Sequence, residues 1–257
     1  LHPSLLVLGS RDFSVEIAAS AHVFEQTKKI STRFLFIRAV RKLMKRFDPV
    51  LWGKDNTKTG KVRPSIEEIE EFLDTLAEQK DFSHNFPHKK LKKIVQLCSK
   101  ISGSVKTNNI PIDHIRRTIY WAHLSTSEKN KIIIIDNADQ MLDSSRNSLL
   151  KLLEEPPDNV FIILLTTRKG AIIKTILSRL RPYHFPQRTE RETSEILSKI
   201  FKDNSGEFQS LREYFLSWNN MNPGLLKSSA HKFIELILSP RRNELDILEE
   251  MNELLNA

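Results

Sequence analysis

Between Lys131 and Pro182 the chain carries two short apolar runs, each ending in polar residues, with a helical segment between them. Four isoleucines, Ile132 to Ile135, lead into Asp136; a second run, Val160 to Leu165, leads into Thr166, Thr167 and Arg168. β-Branched runs of this length that alternate with a helix predict parallel strands buried on both faces. In open parallel sheets the chemistry gathers at the carboxyl ends of the strands, which sets Asp136 and Thr166–Thr167 where a ligand would lie. The segment Ser144 to Glu154 reads as the intervening helix, with Asp143 as its N-cap and Leu149, Leu150, Leu152 and Leu153 lining it. Pro156-Pro157 stops it, because the residue before a proline avoids the helical region. By periodicity alone that leucine cluster is core.

A third strand, Leu5 to Leu8, runs into Gly9-Ser10-Arg11-Asp12-Phe13-Ser14-Val15-Glu16 and then a helical stretch, Ile17 to Phe24. Strand, tight turn and helix make the frame of a phosphate-binding loop. The chemistry of such a loop needs two glycines, a lysine for the terminal phosphates and a hydroxyl for Mg²⁺. Only Gly9 fits. Ser14 stands at the second glycine, Val15 at the lysine and Glu16 at the hydroxyl, and a carboxylate there repels a triphosphate. Read by itself, the segment is an ordinary strand-to-helix turn. Asp136 stands where a Mg²⁺-holding aspartate would stand, but Asn137 follows it, and an amide can position a water without accepting its proton.

Ser31 to Asn109 has a different pattern. Phe36, Val40, Leu43 and Phe47 follow helical spacing between basic residues, among them Arg38, Arg41, Lys42 and Lys45. Such a helix either follows a nucleic-acid backbone or presents a solvated basic face. Gly53 to Arg63 reads as an exposed loop, and Pro64-Ser65 as a helix start with Ser65 and Glu68 as a capping box. A basic helix spans Lys89 to Ile101, a loop Ser102 to Asn109, and another helix Ile112 to Leu124. Farther on, a helix over Ala171 to Leu180 and a short strand over Tyr183 to Phe185 are expected. Thr193 to Phe201, Phe208 to Trp218, Gly224 to Leu238 and Arg242 to Leu255 then read as helices. The chain begins at Leu1 rather than Met and ends without a helix stop, so both ends are expected to continue in a longer protein.

The bulk properties narrow the function classes. Net charge is +8 with a sequence pI of about 9.5, which favours an anionic partner such as nucleic acid. Glycine occurs 7 times in 257 residues, so glycine-rich phosphate cradles are scarce. Cys98 is the only cysteine, which excludes an internal disulfide and a multi-cysteine zinc site. His84 and His88 lie on either side of Pro87 and form no metal pattern. No apolar run approaches the roughly 20 residues that span a bilayer, and a cytoplasmic protein is expected.

From Ile112 to Phe185 the chain resembles the bacterial clamp-loader family of AAA+ proteins, and within it the delta-prime type of DNA polymerase III subunit. Ile132 to Asp139 is similar to the Walker B strand, Asn147 to Pro157 (NSLLKLLEEPP) to a specific family signature, and Thr166-Thr167 to the sensor 1 strand. Ser178-Arg179-Leu180 resembles the Ser-Arg-Cys motif, with leucine replacing the cysteine. The resemblance gives Arg179, with Ser178, the role of an arginine finger that enters the nucleotide site of an adjacent subunit. Without the motif, an arginine near a helix end is a dipole complement or a surface charge. Sensor 2 would place an arginine where Leu225 stands, after Asn222-Pro223-Gly224. Together with Val15, Glu16 and Asn137, Leu225 implies a chain that neither binds nor cleaves ATP.

The implied fold is α/β: a RecA-like AAA+ domain over 1–184 with a basic helical insert at about 31–109, a helical lid over 185–238, and the start of a further helical region over 239–257. The implied function is that of a non-catalytic clamp-loader subunit in a hetero-oligomer with delta and gamma/tau ATPase subunits, which hold the ATP. It would help load the sliding clamp onto primer-template DNA, which Arg38, Arg41, Lys42 and Lys45 of the insert could contact. The family's four-cysteine zinc module is replaced by the insert, so zinc is not expected. Two other readings stay open: an ATPase that binds nucleotide through an unusual loop, and a DNA-binding module on a decayed AAA+ scaffold.

Overall fold

The computed structural model describes residues 2–53, 57–79, 81–82, 86–104, 109–124, 130–218, 230–231 and 234. The chain divides into two compact units, Leu1–Gln187 and Arg188–Ala257.

The first unit contains three parallel strands, β1 (Leu5–Gly9), β2 (Lys131–Asp136) and β3 (Val160–Leu164), in the order β1-β2-β3. Leu5 pairs with Ile132 and Gly9 with Asp136; Ile132 in turn pairs with Phe161. Its helices are α1 (Ser14–Thr27), α2 (Ile30–Met44), α3 (Pro49–Trp52), α4 (Thr57–Glu78), α5 (His88–Ser104), α6 (Ile112–His123), α7 (Asp143–Glu154) and α8 (Lys174–Leu177).

Two separate apolar clusters hold these elements. One joins α1, α2, α4 and α5 around Phe24, Phe36, Phe72 and Phe82. Phe24 stacks on Phe36 at 6.4 Å and meets the Phe82 ring edge-on at 5.1 Å. The other joins one face of the sheet, through Leu6, Leu8, Ile133 and Ile135, to α3, α6, α7 and α8. Side chains alternate across a strand, so Leu5, Val7, Ile132, Ile134, Phe161 and Ile163 share the opposite face. Among the described residues that face is only partly covered: Leu5, Val7 and Ile134 are half-buried, but Ile132 is 38 % exposed, Phe161 56 % and Ile163 43 %. The expectation of strands buried on both faces is therefore corrected. Ile17, Ala21 and Phe24 of α1, the helix that follows β1, lie in the four-helix cluster and not in that of the sheet.

Several local expectations also change. The stretch expected to be loop is already helical from Thr57, and Pro64 lies inside α4 instead of opening it with Ser65. Pro64 removes one helical hydrogen bond, and the Gly60 carbonyl that loses it is on an exposed residue open to water. Leu142, not Asp143, is the N-cap of α7; Asp143 pairs with Arg146 at 3.0 Å. The helix expected over Ala171 to Leu180 is reduced to α8, because Ile172 and Ile173 are extended. Ile172 and Ile176 are both buried without a continuous helix. Tyr183 to Phe185 pairs with no strand, and Phe185 is 85 % exposed.

The second unit contains α9 (Glu190–Ile196), a π-helical turn over Leu197–Phe201 and α10 (Leu211–Ser217). Thr189 and Glu192 form a reciprocal capping box at the start of α9. Phe201, Phe208, Tyr214 and Phe215 pack their rings together. The helices expected over Gly224 to Leu238 and Arg242 to Leu255 lie outside the described residues, apart from isolated positions.

One buried and one half-buried group in the first unit carry weight in its stability. Lys131, at the start of β2, donates its ammonium to the carbonyls of Trp121 (2.6 Å), Ala122 (3.3 Å) and Leu124 and so closes the C-terminus of α6. Replacing it by methionine strands these acceptors; Lys131→Met is expected to cost about 1–3 kcal/mol in urea unfolding. His114 lies edge-on against Trp52 at 4.7 Å, and burial lowers its pKa to about 4. The unfolded imidazole titrates near 6.5, so between about pH 6.5 and 4 the unfolded chain binds the extra proton. Stability is therefore expected to fall as pH drops through that window, and His114→Phe should flatten the slope of unfolding free energy against pH.

Candidate functional site

The parallel pairing of Gly9 with Asp136 brings the β1 loop to the end of β2. Gly9 has φ of +148°, and a Cβ there would lie 2.3 Å from the Asp136 carbonyl oxygen. Glycine is thus required by the approach of the two strands. Asn137 adopts the left-handed region at φ 52°, which asparagine tolerates. Its amide nitrogen donates to Ser10 Oγ at 3.4 Å, and Ser10 donates to Gln140 Oε1 at 2.5 Å. The loop after β1 is stapled to the β2 end through these polar side chains.

The chain's own groups fill the loop's bonding positions. The Ser14 backbone N–H, at the start of α1, donates to Asp12 Oδ1 at 2.9 Å. Ser102 from α5 donates to the same oxygen at 2.9 Å. A carboxylate therefore takes a helix-start N–H that a phosphate would use. Val15 is half-buried and apolar. Glu16 accepts from Lys42 Nζ at 2.5 Å, with Arg11 4.0 Å away. Arg46, just past α2, donates to the Arg11 carbonyl and lies 5.8 Å from the Phe13 ring centroid. Burial lowers the Arg46 pKa, while the fields of Asp136 and Asp12 favour its charge. Arg46 is thus a half-buried cation whose charge these carboxylates favour.

Asp139 organises the β3 end. It accepts from Thr166 Oγ1 at 2.7 Å and from Arg168 Nε and Nη2 at 2.9 and 2.6 Å. Burial pushes its pKa up, but the bonds from Thr166 and Arg168 outweigh it and hold the carboxyl below the usual range. The Thr166 hydroxyl is committed to this network, and Thr167 is exposed.

Arg179 lies two residues past α8, in the turn that closes it. Its Nη1 donates to the Thr175 carbonyl at 2.7 Å and its Nη2 to Glu154 Oε1 at 2.6 Å. Its side chain remains 33 % exposed. The neighbouring Ser178 hydroxyl donates to the Thr175 carbonyl at 3.0 Å.

The basic residues of α2 and the turn after it separate by environment. Arg38 and Arg41 are exposed. Lys42 is engaged by Glu16. Lys45 is buried and donates to the carbonyls of His2 (3.0 Å) and Leu5 (2.8 Å), so its expected availability to DNA is corrected. It holds the start of β1 instead. Leu225 lies outside the described residues. Among the described residues no group of three His, Cys, Asp or Glu side chains could hold a metal ion, and no helix is long and apolar enough to cross a membrane. Cys98 is buried, and burial pushes its thiol pKa up to about 12.

Asp12, Arg46, Asp139 and Glu154 are the participants that sequence reasoning passed over. Glu154 had a signal, a carboxylate at a helix end just before a proline pair. Asp12 had the short-range signal of a carboxylate two residues before a helix start; Arg46 and Asp139 had none, because their partners are far away in sequence.

Residues 67–189 match the family profile described as "DNA polymerase III, delta subunit". A DNA polymerase III subunit gamma from Buchnera aphidicola (strain Sg) is 30 % identical over 123 residues, 44 % of this chain and 33 % of that protein. A subunit delta' from the same organism is 36 % identical over 84 residues, 32 % of this chain and 26 % of that protein. A subunit gamma/tau from Mycobacterium tuberculosis (strain H37Rv) is 33 % identical over 107 residues, 42 % of this chain and 18 % of that protein. The chain spans a third or less of the length of these curated relatives. A solved gamma-subunit-related protein from Thermotoga maritima aligns with 52 % of this chain and 49 % of that chain at 24 % identity and a TM-score of 0.34, and carries no conclusion. Through the matched segment, which contains the Asp136 strand end and the Arg179 turn, the chain is similar to subunits of DNA polymerase III.

Proposed function

We propose that this chain acts as a delta-prime-type subunit of the clamp loader: it does not hydrolyse ATP itself, and it presents Arg179 to nucleotide held by a neighbouring ATPase subunit. The observation that carries this reading is the filling of its own remnant site. Asp12 takes the helix-start N–H, Glu16 is closed onto Lys42, Asp12 and Asp136 favour the charge of Arg46, and Val15 offers no charge to a phosphate. Each of these would have to be displaced to admit a magnesium triphosphate, and the lysine, second glycine and hydroxyl that would reward it are missing. Arg179, by contrast, keeps part of its side chain open to solvent.

In this reading the second unit serves as the helical lid, and the chain works in a cytoplasmic hetero-oligomer with gamma/tau-type ATPases and delta, loading the sliding clamp. The exposed Arg38 and Arg41 of the insert supply charge for a primer-template backbone.

Relatives named gamma and gamma/tau favour a second reading, an ATP-binding subunit. Equilibrium binding of labelled ATP with Mg²⁺ to the purified chain separates the two. No saturable binding is expected up to the millimolar range, and micromolar affinity would overturn the proposal. With the chain reconstituted beside its ATPase partners, Arg179→Ala should lower DNA- and clamp-stimulated ATP turnover by roughly tenfold or more. A finger at one site is worth ~10³–10⁵ in rate, and the other sites of the assembly keep their own. Unchanged turnover would exclude Arg179 as a finger.

A further inference from the structure

We infer that Glu154 is the positioning residue for Arg179; this rests on the finger reading given above. Glu154 is the last residue of α7, where Glu155 leaves helical geometry at φ −130° and ψ 69° and Pro156-Pro157 follows. The proline pair fixes where the helix stops and so fixes where the carboxylate stands. A carboxylate at a helix C-terminus opposes the helix dipole, and its place there is unfavourable unless a cation answers it. Arg179 Nη2 answers it at 2.6 Å, across 25 residues of sequence.

The guanidinium is gripped at two points. The Thr175 carbonyl receives Nη1, and Glu154 receives Nη2. Of five N–H donors, these bonds occupy two and leave three for an incoming phosphate. A free arginine side chain samples many rotamers, and ordering it costs free energy when the phosphate arrives. A guanidinium already held in one orientation avoids that cost, and catalysis by a charge of this kind depends on such preorganisation. The pair also crosses from α7 to the turn after α8, so the orientation of Arg179 is referred to the helix rather than to its own short turn. Glu154 touches no nucleotide in this scheme and acts only through Arg179.

The full-length protein, reconstituted with its ATPase partners, tests this with four variants: Glu154→Ala, Glu154→Gln, Arg179→Ala and the Glu154→Ala/Arg179→Ala double variant. Assembly is checked by size-exclusion chromatography, and DNA- and clamp-stimulated hydrolysis is measured across ATP concentrations. Glu154→Ala is expected to lower kcat roughly 10-fold, within the ~10²-fold that a small misplacement of a reacting group can cost, while KM for ATP stays within about twofold. Glu154→Gln, whose amide oxygen still accepts from Nη2, should recover most of the rate. In the Arg179→Ala background, Glu154→Ala should have no further effect. A carboxylate that only braced α7 against α8 would give additive losses in the double variant and no recovery by glutamine, and either result overturns the proposal. If Arg179→Ala lowers turnover and Glu154→Ala does not, the positioning role fails and the finger stands. If Arg179→Ala changes nothing, both fail.

Discussion

The close parallel pairing of β1 with β2 is the constraint on which the rest of the first unit depends. Its last rung, Gly9 against Asp136, brings the two backbones near enough that any Cβ at position 9 would strike a carbonyl oxygen. That approach carries the loop after β1 to the polar end of β2, where Ser10, Gln140 and Asn137 fasten it. Lys45 secures the other end of β1 by bonding the carbonyls of His2 and Leu5. The glycine that a phosphate-binding loop would use for its ligand is here spent on strand contact.

The helices beside that rung form a core of their own. α1 buries Ile17, Ala21 and Phe24 among α2, α4 and α5, and the sheet keeps a second apolar cluster of its own. One sheet face is left with Phe161 and Ile163 open. The same bundle reaches the loop after β1: Lys42 to Glu16, Ser102 to Asp12, and Arg46 to the Arg11 carbonyl. Charges that composition alone would assign to a solvated or DNA-facing surface are partly consumed inside. Arg38 and Arg41 are what remains exposed among the four basic positions singled out from the sequence.

The strands were legible because a run of isoleucines closed by a charged residue has few other uses, and β1, β2 and β3 fall within a residue of where the runs place them. Helix ends were less legible. The polar start of α4, with Gly60 and Pro64 in it, has the chemistry of a loop, yet it continues a helix whose later turns are anchored by Ile69, Phe72, Leu73 and Leu76. Conversely, the isoleucines from 172 to 176 have helical spacing but reach the core from an extended segment followed by one turn. Local propensity is a weak prior where burial can be met by more than one backbone path.

The sequence by itself determined the three strands, the helix that ends at the proline pair, and the absence of a lysine, a second glycine and a hydroxyl at the phosphate-binding positions of the loop after β1. These are local facts, set by side-chain type and by the short-range restrictions of proline and β-branched residues. Only the tertiary structure decided which charges are spent and which are free. Glu16 meets Lys42 across 26 residues, Arg179 meets Glu154 across 25, and Asp12 meets Ser102 across 90. No periodicity encodes such pairs. They arise when two clusters pack independently and the polar groups left at their borders, being costly to bury alone, find one another.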